Sequence, residues 1–244
     1  MKISLDKVTI MGIDCVDPHR LQEVMDISQK EIHFGAAKIL SSSFIDDPRL
    51  VIIEKISSFE EFSIFCLKDL VNYVDTEYVL LIQWDGFILN PDNWKDSFLK
   101  YDYIGSPWVV KDWSINDFDF PEELRGERVV GNGGFCIRSK RLLQISSRLF
   151  NEGLINRFHP EDIAISVWYR DLFIKEGIKF APLELAREFA FEGDDDLYNN
   201  QFGFHGFYTN INRWFANNPS YENLYNNYIN YKKVKRLGWK PHKS

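Results

Sequence analysis

Cysteine is scarce in this chain: Cys15, Cys66 and Cys136 are far apart, odd in number and in no metal-ligand spacing. That excludes a disulfide framework and leads us to expect reduced thiols in a cytoplasmic protein. No apolar run reaches the roughly 20 residues that a bilayer-spanning helix needs. The opening segment, Met1-Lys2-Ile3-Ser4-Leu5-Asp6-Lys7, lacks the apolar stretch of a secretory signal, so a site of action inside the cell is expected. Positive charge is in deficit, with 29 Lys and Arg against 36 Asp and Glu for a net charge of −7. The body therefore has no electrostatic case for gripping nucleic acid. Internal repeats, low-complexity linkers, a Gly-Lys-Ser/Thr phosphate loop and a G-x-G-x-x-G fingerprint are all missing.

Aromatic residues, by contrast, make up 16% of the 244 residues within a hydrophobic content of 45%, which excludes disorder. A chain of this length hides roughly three-quarters of its unfolded surface. Its aromatics are read either as core packing or as platforms for sugar or base rings in an open cleft.

Lys7–Asp14 reads as a buried first strand. Asp17-Pro18 opens a helix carrying Leu21, Val24, Met25 and Ile32 at helical spacing. Ala36–Leu40 and Leu50–Ile53 have strand length. Ser58–Val74 reads as one amphipathic helix with Phe59, Phe62, Phe65, Cys66, Leu70 and Tyr73 inward, followed by a strand over Tyr78–Gln83, and Leu80–Leu89 reads as an apolar strand ending in Gln83-Trp84-Asp85-Gly86. Further on come a short helix at Asn90-Pro91-Asp92 and a strand at Tyr103-Ile104-Gly105. Pro107–Arg128 reads as a long surface loop, and Val129–Ile137 as one Gly-rich strand. Helices are expected over Ser139–Phe150, Pro160–Phe173 and Leu183–Phe189, with a strand at Ile178–Ala181. Alternating strands and helices predict an α/β fold: one domain over residues 1–244, with a central, mostly parallel sheet flanked by helices. Ligands of such sheets gather at the carboxyl ends of strands, so Asp14 and Asp85 are expected to share one crevice.

Four segments carry candidate chemistry. In Gln83-Trp84-Asp85-Gly86 a carboxylate at a strand end offers a hard oxygen ligand where a diphosphate and a divalent ion meet. Its alternative is a plain turn residue. In Gly131-Asn132-Gly133-Gly134 the glycines let backbone approach a flat substrate, or simply mark a bulge. In His159-Pro160-Glu161-Asp162 both acids suit the first turn of a helix, where capping alone accounts for them. Helical spacing nonetheless puts Glu161 with Ile165, Trp168 and Leu172, and Asp162 with Ser166 and Tyr169. One orienting and one open carboxylate suit a general base. In Phe202-Gly203-Phe204-His205-Gly206 the imidazole is a candidate metal ligand or a structural histidine.

In this order the segments resemble glycosyltransferases of the GT-A (Rossmann-like) fold. They are most similar to an uncharacterised bacterial family with Gln-x-Asp in place of Asp-x-Asp. That family also carries the motifs seen here as Tyr103–Trp108, Gly131–Phe135, Glu161-Asp162 and Phe202–His205. The similarity runs from about Lys7 to Trp214, leaving a C-terminal helix and basic tail over 215–244. It implies an inverting transferase that uses a nucleotide-diphosphate sugar, with Asp14, Gln83, Asp85, Gly86, Gly133 and Gly134 at the donor. Asp85 and His205 would hold Mn²⁺ or Mg²⁺, Asp162 would be the base and Glu161 its orienting partner. Trp108 and Trp113 are candidates for stacking on a sugar. A glycan or lipid-linked acceptor is implied, in surface polysaccharide or glycoconjugate assembly. The basic segment from Tyr231 is either a solvated terminus or a peripheral membrane contact. Rival classes are a non-catalytic sugar-binding module and a nucleotidyltransferase. Against the latter, Lys7–Asp17 has one glycine and no basic phosphate loop.

Overall fold

A computed structural model describes residues 2–193, 198–206, 209, 211–224, 226 and 229–230. The apolar N-terminal run forms β1 (Ile3–Ile13), and Asp17 caps the following helix α1 (Pro18–Gln29), with Pro18 in its first turn. The helix ends before Ile32, which instead starts β2 (Ile32–Ser41); β3 (Leu50–Ile52) pairs with it. Ser58 caps α2 (Phe59–Ile64), and the chain continues as a π-helical turn (Phe65–Asp69) and a 3₁₀ turn (Leu70–Tyr73). The expected single amphipathic helix is therefore broken in pitch, and Phe59 is 75% exposed rather than inward. Then come β4 (Tyr78–Ile82), β5 (Tyr103–Gly105), β6 (Pro107–Val109) and α3 (Asp112–Phe118). β7 (Arg128–Val130), β8 (Phe135–Ser139) and α4 (Lys140–Asn151) follow.

The main sheet has the order β3-β2-β1-β4-β8-β5. β1 to β4 run parallel, and β8 runs antiparallel to both β4 and β5. The architecture is thus the expected α/β fold with a mostly parallel central sheet. Strand alternation sends Leu80, Ile82, Phe135 and Ile137 to one face, where α1 supplies Leu21, Val24 and Met25. Val79, Leu81 and Cys136 face the other way, against Leu142, Leu143 and Leu149 of α4. Helices cover both faces, and most of the plentiful phenylalanines fill these two cores.

Three expectations fail here for one reason, the pull of tertiary pairing. Pro107–Arg128 is not a loop: β6 and β7 pair as an antiparallel ribbon enclosing α3, over a small core of Val110, Phe120 and Ile163. Val129–Ile137 is not one strand either, because the chain leaves that ribbon at Gly131 and enters the main sheet at Phe135. Nor does Leu80–Leu89 run straight. Gln83 and Gly86 exchange both main-chain hydrogen bonds at 2.9 Å, reversing the chain and leaving Trp84 and Asp85 at the tip.

The final part holds α5 (Glu161–Ile163), a π-helical turn (Ala164–Trp168) and α6 (Arg170–Lys175). After it come α7 (Leu183–Phe189), β9 (Ala190–Glu192), β10 (Gly203–His205) and α8 (Asn212–Asn217), with β9 and β10 parallel. Ile178–Ala181 contributes only an isolated bridge from Phe180 to Tyr103. No helix among the described residues is long and apolar enough to cross a membrane. The basic segment from Tyr231 lies outside the described residues.

Candidate functional site

β1 and β4 end level with one another, Gly12 beside Ile82, so Asp14 and Gln83 emerge at the same edge of the sheet. The reversal after β4 is fixed from a distance. Gly206 N donates to Asp85 O at 2.8 Å, and Ile88 bridges to Gly203, which docks the Trp84-Asp85 tip beside β10. Glycine is required in this node. A Cβ on Gly134 would lie 2.0 Å from His205 Nε2 and 2.8 Å from Gln83 Oε1, and one on Gly86 would lie 2.9 Å from Gly134 O. Gly133 plays the same part for Glu161, whose Oε1 would be 2.5 Å from an added Cβ. Gly133 and Gly134 therefore line the cavity described below and also admit the two functional side chains behind them.

Arg138 is fully buried, and its Nη2 donates to Glu161 Oε1 at 2.9 Å. Glu161 is 4% exposed, so the inward carboxylate of the pair is the one held by a cation. Asp162 is half-buried in the cavity wall, and among the described residues no cation forms an ion pair with it. Burial first, then the neighbouring Glu161 charge, pushes its carboxyl up to about 7, against the opposing pull of Arg138. Behind this pair, burial pushes the Cys136 thiol up to about 11, so it stays protonated and inert.

His205 is anchored by Glu192, a residue that sequence reasoning passed over. Glu192 Oε1 lies 3.1 Å from His205 Nδ1, Ser106 Oγ donates to Oε2 at 2.9 Å, and Asn132 Nδ2 donates to Oε2 as well. Asn132 is itself locked, since its Oδ1 accepts from Gly134 N and Phe135 N, both at 2.7 Å. Burial alone would lower the His205 pKa; the Glu192 charge and hydrogen bond, with Asp85 and Asp162 nearby, instead raise it to about 9. Nothing in Phe191-Glu192-Gly193 sets that acid apart from 35 others in the sequence, whereas Asn132 was visible inside its glycine run.

These groups line one cavity of about 380 Å³, with Asp162, Glu161, Glu192, His205, Gln83 and the Gly133-Gly134 backbone in its wall. Trp108 and Trp113 close it from the ribbon side, stacked on each other at 5.7 Å and 13°, with Trp108 Nε1 donating to Gly131 O at 2.6 Å. His159 is a further wall residue with no role assigned from sequence; its Nδ1 lies 2.9 Å from Ser63 Oγ. A second cavity of about 470 Å³ adjoins the first, and Phe59, Phe62 and Gln83 line both. It contains Asp14, Arg20 and Trp84. Asp14 is already engaged: Oδ1 accepts from Val16 N and Asp17 N, and Oδ2 accepts from Arg20 Nε at 2.6 Å. It thereby presents Arg20, whose guanidinium lies 5.0 Å from the Trp84 ring centre.

Among the described residues no three His, Cys, Asp or Glu side chains converge as a metal cage. His205 Nε2 and Gln83 Oε1 lie 3.2 Å apart, and the Glu192 contact to Nδ1 is the support a ligating imidazole commonly has. With the buried Asp85 alongside, this nitrogen-and-oxygen donor set fits Mn²⁺ or Mg²⁺ only if oxygens of a bound phosphate complete the shell.

No curated protein sequence matches the chain. Among solved structures, the galactosyltransferase LgtC, solved in complex with donor and acceptor sugar analogs, is similar at 13% identity and a TM-score of 0.46. The match covers 81% of this chain and 86% of that one. A family model matches residues 53–205, which hold the reversal at Gln83–Gly86, the glycine run, Glu161-Asp162, Glu192 and His205. The chain thus belongs to the family described as protein of unknown function (DUF5672).

Proposed function

We propose that the chain is an inverting glycosyltransferase acting on a nucleotide-diphosphate sugar and an acceptor hydroxyl. The observation that carries this is the placement of Asp162: a half-buried carboxylate in a cavity wall beside the Arg138-paired Glu161, where burial and that neighbouring charge raise its pKa toward the range a general base needs. The nucleotide occupies the cavity of Arg20 and Trp84, and the sugar occupies the cavity of Asp162. The acceptor oxygen attacks the anomeric carbon while its proton passes to Asp162. The bond to the diphosphate breaks, and its electron pair leaves with the diphosphate. Arg138 compensates Glu161, so the pair does not carry two free charges. Trp108 and Trp113 offer an apolar face to the acceptor glycan. Asp85, Gln83 and His205 would hold a divalent ion, which when bound supplies charge neutralisation for the leaving diphosphate.

The test is a panel of nucleotide sugars with simple and lipid-linked glycan acceptors, with and without Mn²⁺, reading nucleoside diphosphate release and the anomeric configuration of the product. Inverted product is expected. D162N should lose about 10²–10⁴-fold in turnover, as for removal of a general base, while donor binding survives. Retained configuration, or an active D162N, removes Asp162 from that role. Pyrophosphate release would instead identify nucleotidyl transfer, and donor binding with no transfer a binding module.

A further inference from the structure

His159 lines the first cavity, against the wall that separates it from the second. Its ring stacks on Phe59 at 6.3 Å and 17°, and Phe59 and Phe62 form the wall common to both cavities. Ser63, on the same short helix, meets His159 Nδ1 at 2.9 Å. The imidazole is thus held by α2 in two ways, by its face and by one nitrogen. Nε2 is the ring nitrogen left for a ligand. Glu161, Asp162 and Glu192 share its cavity wall, and Glu60 lies on α2 beside it. Glu161 is already paired with Arg138. On the far side of the shared wall the cation is Arg20, turned into the second cavity by Asp14.

A ligand filling both cavities passes this wall at its middle. We propose that His159 binds the phosphate oxygens of a diphosphate at the junction, with Nε2–H as donor. The assignment rests on the glycosyltransferase reading for the identity of the ligand. Geometrically it needs only a two-part molecule with an anionic centre. A charge-assisted hydrogen bond of this kind is short and strong, and Ser63 pre-orients the ring that makes it.

The test uses the full chain with isotope-labelled histidine, the ring signals of His159 being assigned from their loss in H159Q. UDP, GDP and inorganic pyrophosphate are titrated in turn, and their affinities are measured for wild type, H159Q, S63A and the remote surface variant H33Q. The expected result is a saturable shift of the His159 signals with at least one diphosphate. H159Q should weaken that affinity about tenfold, the loss of one charge-assisted hydrogen bond. S63A should weaken it less, and H33Q not at all. Diphosphate binding with unmoved His159 signals and an H159Q affinity within about twofold of wild type overturns the assignment but leaves the transferase reading intact. Failure of every diphosphate to bind overturns both. If H159Q does not fold, the wild-type shifts, assigned through backbone connectivity, decide the matter.

Discussion

The buried pair Arg138–Glu161 offers the sharpest test of how the site is held together. Arg138 has no exposed surface, and the Glu161 side chain is 5% exposed. Only Nη2 of the guanidinium reaches the carboxylate, while Nε and Nη1 meet no hydrogen-bond partner among the described residues. Orphaned buried donors cost about 1–3 kcal/mol each. The pair is therefore a poor source of stability taken as a unit, yet dangerous to split. R138M leaves a carboxylate in the core without its cation and should cost about 3–5 kcal/mol. R138M/E161Q removes the charge from both sides and should recover most of that loss. Urea unfolding at pH 7.5 reads this as a drop in midpoint for R138M at unchanged slope, then a rise for the double variant. Additive single-variant costs, or an R138M change below about 1 kcal/mol, would refute the view that Arg138 serves to neutralise Glu161. The same variant should move Asp162: with the cation gone its carboxyl titrates higher, so the rise of activity with pH shifts to more alkaline values.

Other outcomes follow from the same geometry. In wild type, activity should rise with pH through about 7 as Asp162 ionises, and D162N should remove that limb. The sign for stability is opposite. Asp162 titrates higher in the folded chain than in the unfolded one, so its contribution is fully present at low pH and is lost as pH rises through about 7. Thermal unfolding at pH 8 should then find D162N at least as stable as wild type. G134A, whose Cβ would lie 2.0 Å from His205 Nε2, should cost about 1–3 kcal/mol and abolish Mn²⁺ binding by calorimetry in the presence of UDP. E192Q should bring the His205 titration down from about 9, as read from its ring resonances.

The strand ends, the glycine run and the carboxylate pair were legible because each is a local pattern. Helical spacing put Glu161 on the core-facing side, and Arg138 beneath it explains why that side accepts a charge. Long-range pairing was not legible. Nothing near Val129–Ile137 reveals that two sheets compete for it, and nothing near Pro107 reveals a partner strand some 20 residues on. Glu192 was missed for the same reason: its importance comes from Ser106, Asn132 and His205, which are distant in sequence. Asp14 was recognised by position, but its engagement with Arg20 emerged only from the fold.

The ribbon of β6 and β7 with α3 carries only three buried apolar residues of its own core, Val110, Phe120 and Ile163, and Ile163 belongs to α5. A unit with so little apolar burial opens at a lower free energy than the main sheet. Its amides should therefore exchange with solvent well before those of β1 or β4, as one cooperative block. Since Trp108 and Trp113 ride on that block, one wall of the cavity should open and close on a clock separate from global unfolding.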